Sequence, residues 1–357
     1  MALMPSPSAP PVSVVMPVRE EERYLASSVR GILDQGYPGE VEIILVVAPS
    51  KDDTARIAAQ LAADNPSIRV VDNPGGTTPL ALNLGVAAAS HDVIVRVDAH
   101  GELGADYIAT AVELLERTGA ANVGGVMDAR GTTAFEQAVA VAYTSRLGLG
   151  SSAFHLGDAP EGPAETVFLG VFRKADLEEV GGFDPSFDRA QDWELNYRLR
   201  QAGHQVWFSP RLRVTYRPRS TTPALARQFF RTGQWRRQVM RRHRDSVSLR
   251  YLAAPTATAA CALGTIAGVV GEVRAARRRS QRRGGAHPSG AGAMGGRGVW
   301  ALGWAAPVGY LAAMVTGSAL MRRPMAPQVR VRLPWVLAVM HLSWGAGFLV
   351  GLPRDKG

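Results

Sequence analysis

The sequence predicts an α/β domain built on a mainly parallel central sheet and followed by C-terminal membrane helices, and three features predict it. Short β-branched runs alternate with segments of helical spacing over residues 12–97, the pattern of a parallel sheet with right-handed crossovers. One run, Val93 to Val97, stops abruptly at Asp98-Ala99-His100-Gly101, and ligands of open α/β sheets bind beyond the carboxyl ends of such strands. Past residue 250, three stretches of about bilayer-crossing length carry no charged side chain.

Taken in order, Met1 to Pro11 is rich in Pro, Ser and Ala, without a basic and then apolar signal pattern, and reads as a disordered leader. Val12 to Pro17 suits a first buried strand. Arg19-Glu20-Glu21-Glu22 then leads into Tyr24, Leu25, Val29, Ile32 and Leu33, whose spacing is helical. Acidic residues are expected in that helix's first turn, where the dipole favours them. Val41 to Val47 repeats the plan as a second strand, with Ser50 to Asp53 as loop and N-cap and Thr54 to Asp64 as helix. Ile68 to Val71 is a third strand, and Asn73-Pro74-Gly75-Gly76 a turn. A helix over 79–89 returns the chain to the strand that ends at Asp98. Trp193, Tyr197 and Leu199 space a later helix, with Asp192 in its first turn.

Composition narrows the function classes. The 357 residues are 46% hydrophobic and 20% charged, enough for one α/β domain and an appendage. A single cysteine, Cys261, excludes a disulfide framework and a cysteine zinc site. The net charge of +9 hides a division: Lys and Arg against Asp and Glu stand 19 to 28 over residues 1–220 and 21 to 3 over residues 221–357. A Gly-x-Gly-x-x-Gly after the first strand and a Gly-x-x-x-x-Gly-Lys-Ser/Thr are both missing, which removes the dinucleotide-binding and P-loop readings.

Asp98 and His100 offer two divalent-metal ligands two residues apart, or else a helix cap and a solvated loop residue. The order of blocks around them decides. Pro17-Val18-Arg19-Glu20-Glu21, Ala81-Leu82-Asn83-Leu84-Gly85, Val97-Asp98-Ala99-His100, Gly181-Gly182-Phe183-Asp184 and Gln191-Asp192-Trp193-Glu194-Leu195 together resemble an inverting family 2 glycosyltransferase of the GT-A fold. Within it the chain is similar to the succinoglycan-type exopolysaccharide glycosyltransferases, which share Asp-Ala-His and a late Met-His-Leu-Ser-Trp-Gly, here Met340 to Gly345.

The resemblance implies a nucleotide-sugar donor, with base and ribose at Pro17, Val18 and Glu21, Asn83 also on the donor, and the diphosphate at Asp98. A divalent cation, Mn²⁺ or Mg²⁺, would be held by Asp98 and His100. Hard oxygen ligands suit either ion, and an imidazole leans the choice to Mn²⁺. Where the family ends its second strand in an Asp pair, this chain has Val47-Ala48-Pro49-Ser50, so base recognition falls to other groups, Ser50 among them. Where the family often has a late His, this chain has Tyr216. Asp192 is the expected catalytic base, with Glu194 as the alternate, and Gly181, Gly182, Gln191 and Trp193 belong to the acceptor region.

The catalytic domain is expected over 12–222. Residues 223–250 interleave Leu225, Phe229, Phe230, Trp235 and Val239 with Arg227, Arg231, Arg236, Arg237, Arg241 and Arg242, the pattern of a basic amphipathic helix on an anionic membrane surface. The membrane region, 251–357, holds apolar segments at 251–271, 298–321 and 333–353 and an Arg/Gly-rich linker at 272–297. Three full crossings would put that linker outside, against the positive-inside rule. A re-entrant or interfacial first segment keeps it inside, with the catalytic domain on the cytoplasmic face of the inner membrane.

The expected function is transfer of a sugar, from a donor such as UDP-hexose, to a hydroxyl of a lipid-linked saccharide in exopolysaccharide or cell-envelope glycan synthesis, beside other polysaccharide-assembly proteins. A catalytically silent sugar-nucleotide-binding component of such an assembly is the alternative. Nucleic-acid binding is not expected, since no reading module is present.

Overall fold

The computed structural model describes residues 9–149, 152–283 and 302–353. The leader up to residue 8 and the linker over 284–301 lie outside the described residues. The chain divides into two compact units, one of Met1–Arg130 with Tyr143–Arg217, the other of Gly131–Ala142 with Pro218–Gly357.

The first unit carries a nine-stranded mixed sheet. Its strands are β1 (Val12–Val18), β2 (Val41–Val47), β3 (Ile68–Asp72), β4 (Val93–Arg96), β5 (Glu102–Leu103), β6 (Asn122–Ala129), β7 (Gly162–Pro163), β8 (Phe168–Arg173) and β9 (Val206–Tyr216). They run in the order β3-β2-β1-β4-β8-β6-β9-β5, with β7 on β9. The first four pair in parallel, as their alternation with helices requires. β8 enters antiparallel between β4 and β6, and β6 and β9 are parallel.

Helices cover both faces. On one lie α1 (Leu25–Leu33), α2 (Thr54–Asp64) and α4 (Tyr107–Thr118), packed on Val14, Met16, Val18, Ile43 and Leu45. On the other lie α3 (Thr78–Ala88), the short α6 (Ala153–Leu156), α7 (Lys174–Glu179) and α8 (Gln191–Gln201), in the core that holds Val15, Ile44 and Val46. Alternate residues of β1 and β2 thus enter opposite cores, the consequence of a period of two in a strand covered on both sides. Gly85 lets α3 lie close on the sheet: a Cβ there would sit 2.2 Å from Val15 Cγ1.

One helix-start expectation is corrected. No acidic residue occupies the first turn of α1. Glu20, Glu21 and Glu22 form the turn before it, where they are laced to the loop after β2: Ser50 Oγ accepts from Glu20 N at 3.1 Å, Thr54 Oγ1 from Glu21 N at 2.8 Å, and Glu22 accepts from Asp53 N at 3.2 Å. The Glu20 and Glu22 side chains are taken up by the loop N–H groups of Lys51 and Asp53, and that of Glu21 by His100.

In the second unit, α5 (Ala134–Tyr143) opens, but for its final tyrosine, within the 131–142 excursion, and α9 (Thr222–Arg242), α10 (Ala253–Arg283), α11 (Ala305–Leu320) and α12 (Pro327–Val350) follow. The basic amphipathic segment, α9, does not stand alone as an interfacial helix. It runs alongside α12 in the same direction, with Trp335 Nε1 donating to Thr222 Oγ1 at its start and Gln234 Nε2 to Gly351 O near its end. Glycines make that approach possible: a Cβ on Gly347 would meet Phe230 O at 1.9 Å, and one on Gly233 would meet Trp344 O at 2.0 Å.

Among the described residues, two helices are long and apolar enough to cross a membrane, Leu249–Arg277 and Pro327–Val350. The Ala- and Thr-rich first segment is thus one of them, and because α10 is a single unbroken helix of 31 residues a re-entrant fold for it is excluded. Of the segment expected over 298–321, the described residues give the 16 residues of α11, about 24 Å of helix at 1.5 Å per residue.

Candidate active site

β1 and β4 are parallel neighbours, so the segments after both emerge at the same edge of the sheet. After β4 the chain turns at Asp98, with Gly101 N donating to Asp98 O at 2.7 Å. Ser28, buried on α1, fixes this turn from below by donating to Gly101 O at 2.8 Å. His100 is thereby set beside Glu21, its Nδ1 2.7 Å from Glu21 Oε1.

Asp192 arrives from the first turn of α8. Ala190, immediately before the helix, has φ +62°, and Glu20, immediately before Glu21, has φ +56°. Side-chain-bearing residues occupy this region at a cost, and such strain collects at functional sites.

The residue that joins these parts is Arg96, the last of β4. Its Nη1 donates to Asp192 Oδ1 and its Nη2 to Asp98 Oδ1 at 3.2 Å. Arg96 is 3% exposed, whereas the side chains of Asp98 and Asp192 are 31% and 27% exposed. One buried guanidinium therefore holds two carboxylates that both reach solvent. The sequence reading passed over Arg96, although a charge inside the apolar run Val93 to Val97 was a visible signal: buried arginines persist only when paired.

The other expected residues divide. Val18 is buried in the core and its carbonyl accepts from Ala48 N at 2.9 Å, so its side chain is not available to a base. Pro17, its neighbour on β1, is half-buried. Ser50 Oγ, besides accepting from Glu20, donates to Ala48 O at 3.1 Å. Glu21, expected at the base and ribose, bonds His100.

Asn83 is a correction of kind. Its Nδ2 donates to Phe183 O at 2.7 Å and its Oδ1 accepts from Phe183 N at 2.8 Å, so its amide pins the turn after α7 and is not turned to a donor. Gly181 and Gly182 make that turn at φ +79° and +69°, and a Cβ on Gly182 would stand 2.7 Å from Asn83 Oδ1. Glu194, 2% exposed, is bound to Arg198, which also donates to Gly182 O at 2.7 Å. Three motif blocks thus meet in one structural knot that fixes α8 and, with it, Asp192. Asn83→Ala leaves the buried Phe183 amide without its partner, a loss of about 1–3 kcal/mol; the expected outcome is a lower melting temperature with unchanged nucleotide-sugar affinity, read by calorimetry.

Gln191 is half-buried at the start of α8, and Trp193 is buried with its ring stacked on Tyr197 at 5.6 Å between centroids. Trp193 is therefore chiefly a packing residue.

Asp98 and His100 fit a divalent cation by the chemistry of their donors. A hydrogen bond from Nδ1 to a carboxylate that leaves Nε2 as the ligand atom is the arrangement usual for metal-bound histidines, and Nδ1 of His100 is the ring atom set against Glu21. A carboxylate and an imidazole are a short ligand set, which suits an ion completed by phosphate oxygens. Among the described residues, the one group of three potential metal-ligating side chains is Asp176, Glu179 and His204, elsewhere on α7 and after α8, and its Glu179–His204 hydrogen bond of 3.1 Å explains their proximity.

The model of glycosyl transferase family 2 matches residues 13–181. The chain is 31% identical over 337 residues to the succinoglycan biosynthesis protein ExoA of Rhizobium meliloti (strain 1021), covering 94% of this chain and 93% of that protein. It is 26% identical over 227 residues to the dolichyl N-acetyl-alpha-D-glucosaminyl phosphate 3-beta-D-2,3-diacetamido-2,3-dideoxy-beta-D-glucuronosyltransferase of Methanococcus voltae, covering 61% of this chain and 70% of that one. Among solved structures, S. aureus TarS 1-349 in complex with UDP-GlcNAc aligns with a TM-score of 0.47 at 14% identity, over 72% of this chain and 80% of that one.

Proposed function

The chain belongs to glycosyl transferase family 2, and from that premise we propose that it is a membrane-associated inverting hexosyltransferase that moves a sugar from a nucleoside-diphosphate donor, UDP-hexose, to a hydroxyl of a lipid-linked saccharide. The observation that carries the proposal is the pair of solvent-reaching carboxylates, Asp98 and Asp192, brought together at the end of β4 by Arg96.

Asp98 and His100 would hold a divalent cation for the donor's diphosphate, with the His100 ring oriented by its hydrogen bond to Glu21. The cation, when bound, neutralises charge that develops on the departing nucleoside diphosphate. Asp192 takes the proton of the acceptor hydroxyl while that oxygen attacks the anomeric carbon from the face opposite the diphosphate. The bond from the anomeric carbon to the diphosphate breaks with its electron pair, and the configuration inverts. Glu194 does not serve as base in this reading, since Arg198 holds it inside the protein.

A lipid-linked acceptor is supported by the Methanococcus relative, whose name gives a dolichyl phosphate sugar as acceptor, and an exopolysaccharide setting by ExoA. Association with the inner membrane rests on α10 and α12. Arginines lie before α10, at Arg244 and Arg250, and near its far end, at Arg274 and Arg277. The positive-inside rule keeps both groups on the cytoplasmic side, which an unbroken helix satisfies by lying along the interface, and the catalytic unit then faces the cytoplasm.

The test supplies membranes carrying the full chain with a panel of nucleotide sugars and reads lipid-linked products by mass spectrometry. A glycosylated lipid-linked product from one donor is expected, and donor binding without any product would favour the silent assembly component instead. The protein is expected to remain in the membrane fraction through a high-salt wash and to need detergent for release, because salt screens arginine–lipid attraction within about 8 Å at physiological strength or less above it but does not extract an apolar helix. Recovery in the soluble fraction would overturn the membrane reading.

A further inference from the structure

We propose that Arg96 is the positioning residue of the transfer reaction, acting through Asp192: its fork sets the base carboxylate's orientation and holds it beside Asp98. The inference rests on the reaction proposed above.

Arg96 sits on a central strand between Val95 and Val97, both 0% exposed. An apolar residue would suit that position better, since burying a guanidinium carries a desolvation cost that pairing only offsets. The cost is not fully met here, because the buried Nε has no hydrogen-bond partner. What the guanidinium does accomplish is to span Asp98, two residues away in the chain, and Asp192, ninety-six residues on. The planar fork can address both at once, which the single ammonium of a lysine does less well. A strand residue also moves less than a loop residue, so Asp192 inherits the rigidity of β4 although it stands at a helix start that follows a strained Ala190.

The test uses the full-length enzyme and steady-state kinetics with donor and acceptor varied. Arg96→Met keeps length and apolar bulk. Its kcat should fall about 10–100-fold while donor KM changes less than threefold, and Arg96→Lys should recover part of the lost kcat. In an Asp192→Asn background, Arg96→Met should cause little additional loss, because a residue acting through Asp192 has nothing left to orient. Melting curves and donor binding by calorimetry identify a variant that fails to fold, in which case the kcat of Arg96→Lys, alone and combined with Asp192→Asn, decides by the same criterion. Full activity of Arg96→Met, a loss confined to donor KM, or a loss that adds in full to that of Asp192→Asn would each overturn the inference while leaving the glycosyltransferase reading intact. If the unsubstituted enzyme transfers no sugar from any donor, the reading itself fails and this inference with it.

Discussion

Asp192→Asn is expected to bind nucleotide sugar as tightly as the unsubstituted enzyme and to transfer it about 10²–10⁴-fold more slowly, the usual contribution of a general base. Asparagine keeps the size of the side chain and can still accept a hydrogen bond from Arg96 through its carbonyl oxygen, but it cannot take the acceptor's proton. The effect should therefore appear in kcat, and donor affinity by calorimetry should stay within a few-fold. Glu194 gives the opposing result. It is buried and bonded to Arg198, whose other bonds hold the Gly181–Gly182 turn, so Glu194→Gln should lower the melting temperature first. Normal transfer by Asp192→Asn together with loss of transfer in a folded Glu194→Gln would move the base two residues along α8.

Asp98→Ala should weaken donor binding, abolish transfer and remove any response to added Mn²⁺ or Mg²⁺, and chelation of the unsubstituted enzyme should stop turnover reversibly. The reasoning is one of charge. A departing nucleoside diphosphate needs a cation at its oxygens, and Asp98 is the carboxylate at the end of β4 that reaches solvent at 31% exposure. The substitution also leaves half of the Arg96 fork without its acceptor, so the measurement must include melting curves. Donor affinity and turnover unchanged in Asp98→Ala, with no effect of chelator, would remove the cation from the site. His100→Ala should show the same loss in weaker form, since Asp98 and phosphate oxygens remain as ligands.

The sequence by itself determined the parallel half of the sheet. β1 to β4 alternate with helices, and β-branched runs such as Val41 to Val47 have no other stable home than a strand covered on both faces. The second half was not legible in the same way. Whether β8 enters parallel or antiparallel depends on the direction from which the chain returns to the sheet, and a strand's composition does not carry its direction.

The site shows the same division. Asp98, His100 and Asp192 could be named from block order because chemistry restricts their residue types, and the structure adds that Arg96 bonds both Asp98 and Asp192. The functions of Asn83, Glu194 and Trp193 could not be read from the same blocks, because a motif marks a residue as constrained without saying whether ligand or protein constrains it. Their hydrogen bonds and packing are internal, and only the tertiary structure reveals that partner. Arg96 is the converse case: one of its two partners, Asp192, lies ninety-six residues away, and no local pattern can express a contact of that range. For α9 the sequence determined that one face is apolar and another basic, but an apolar face is satisfied equally by lipid and by a helix. The facing Gly233 and Gly347, too far apart in sequence to suggest one another, decided in favour of α12 because only residues without a Cβ let two backbones come that close.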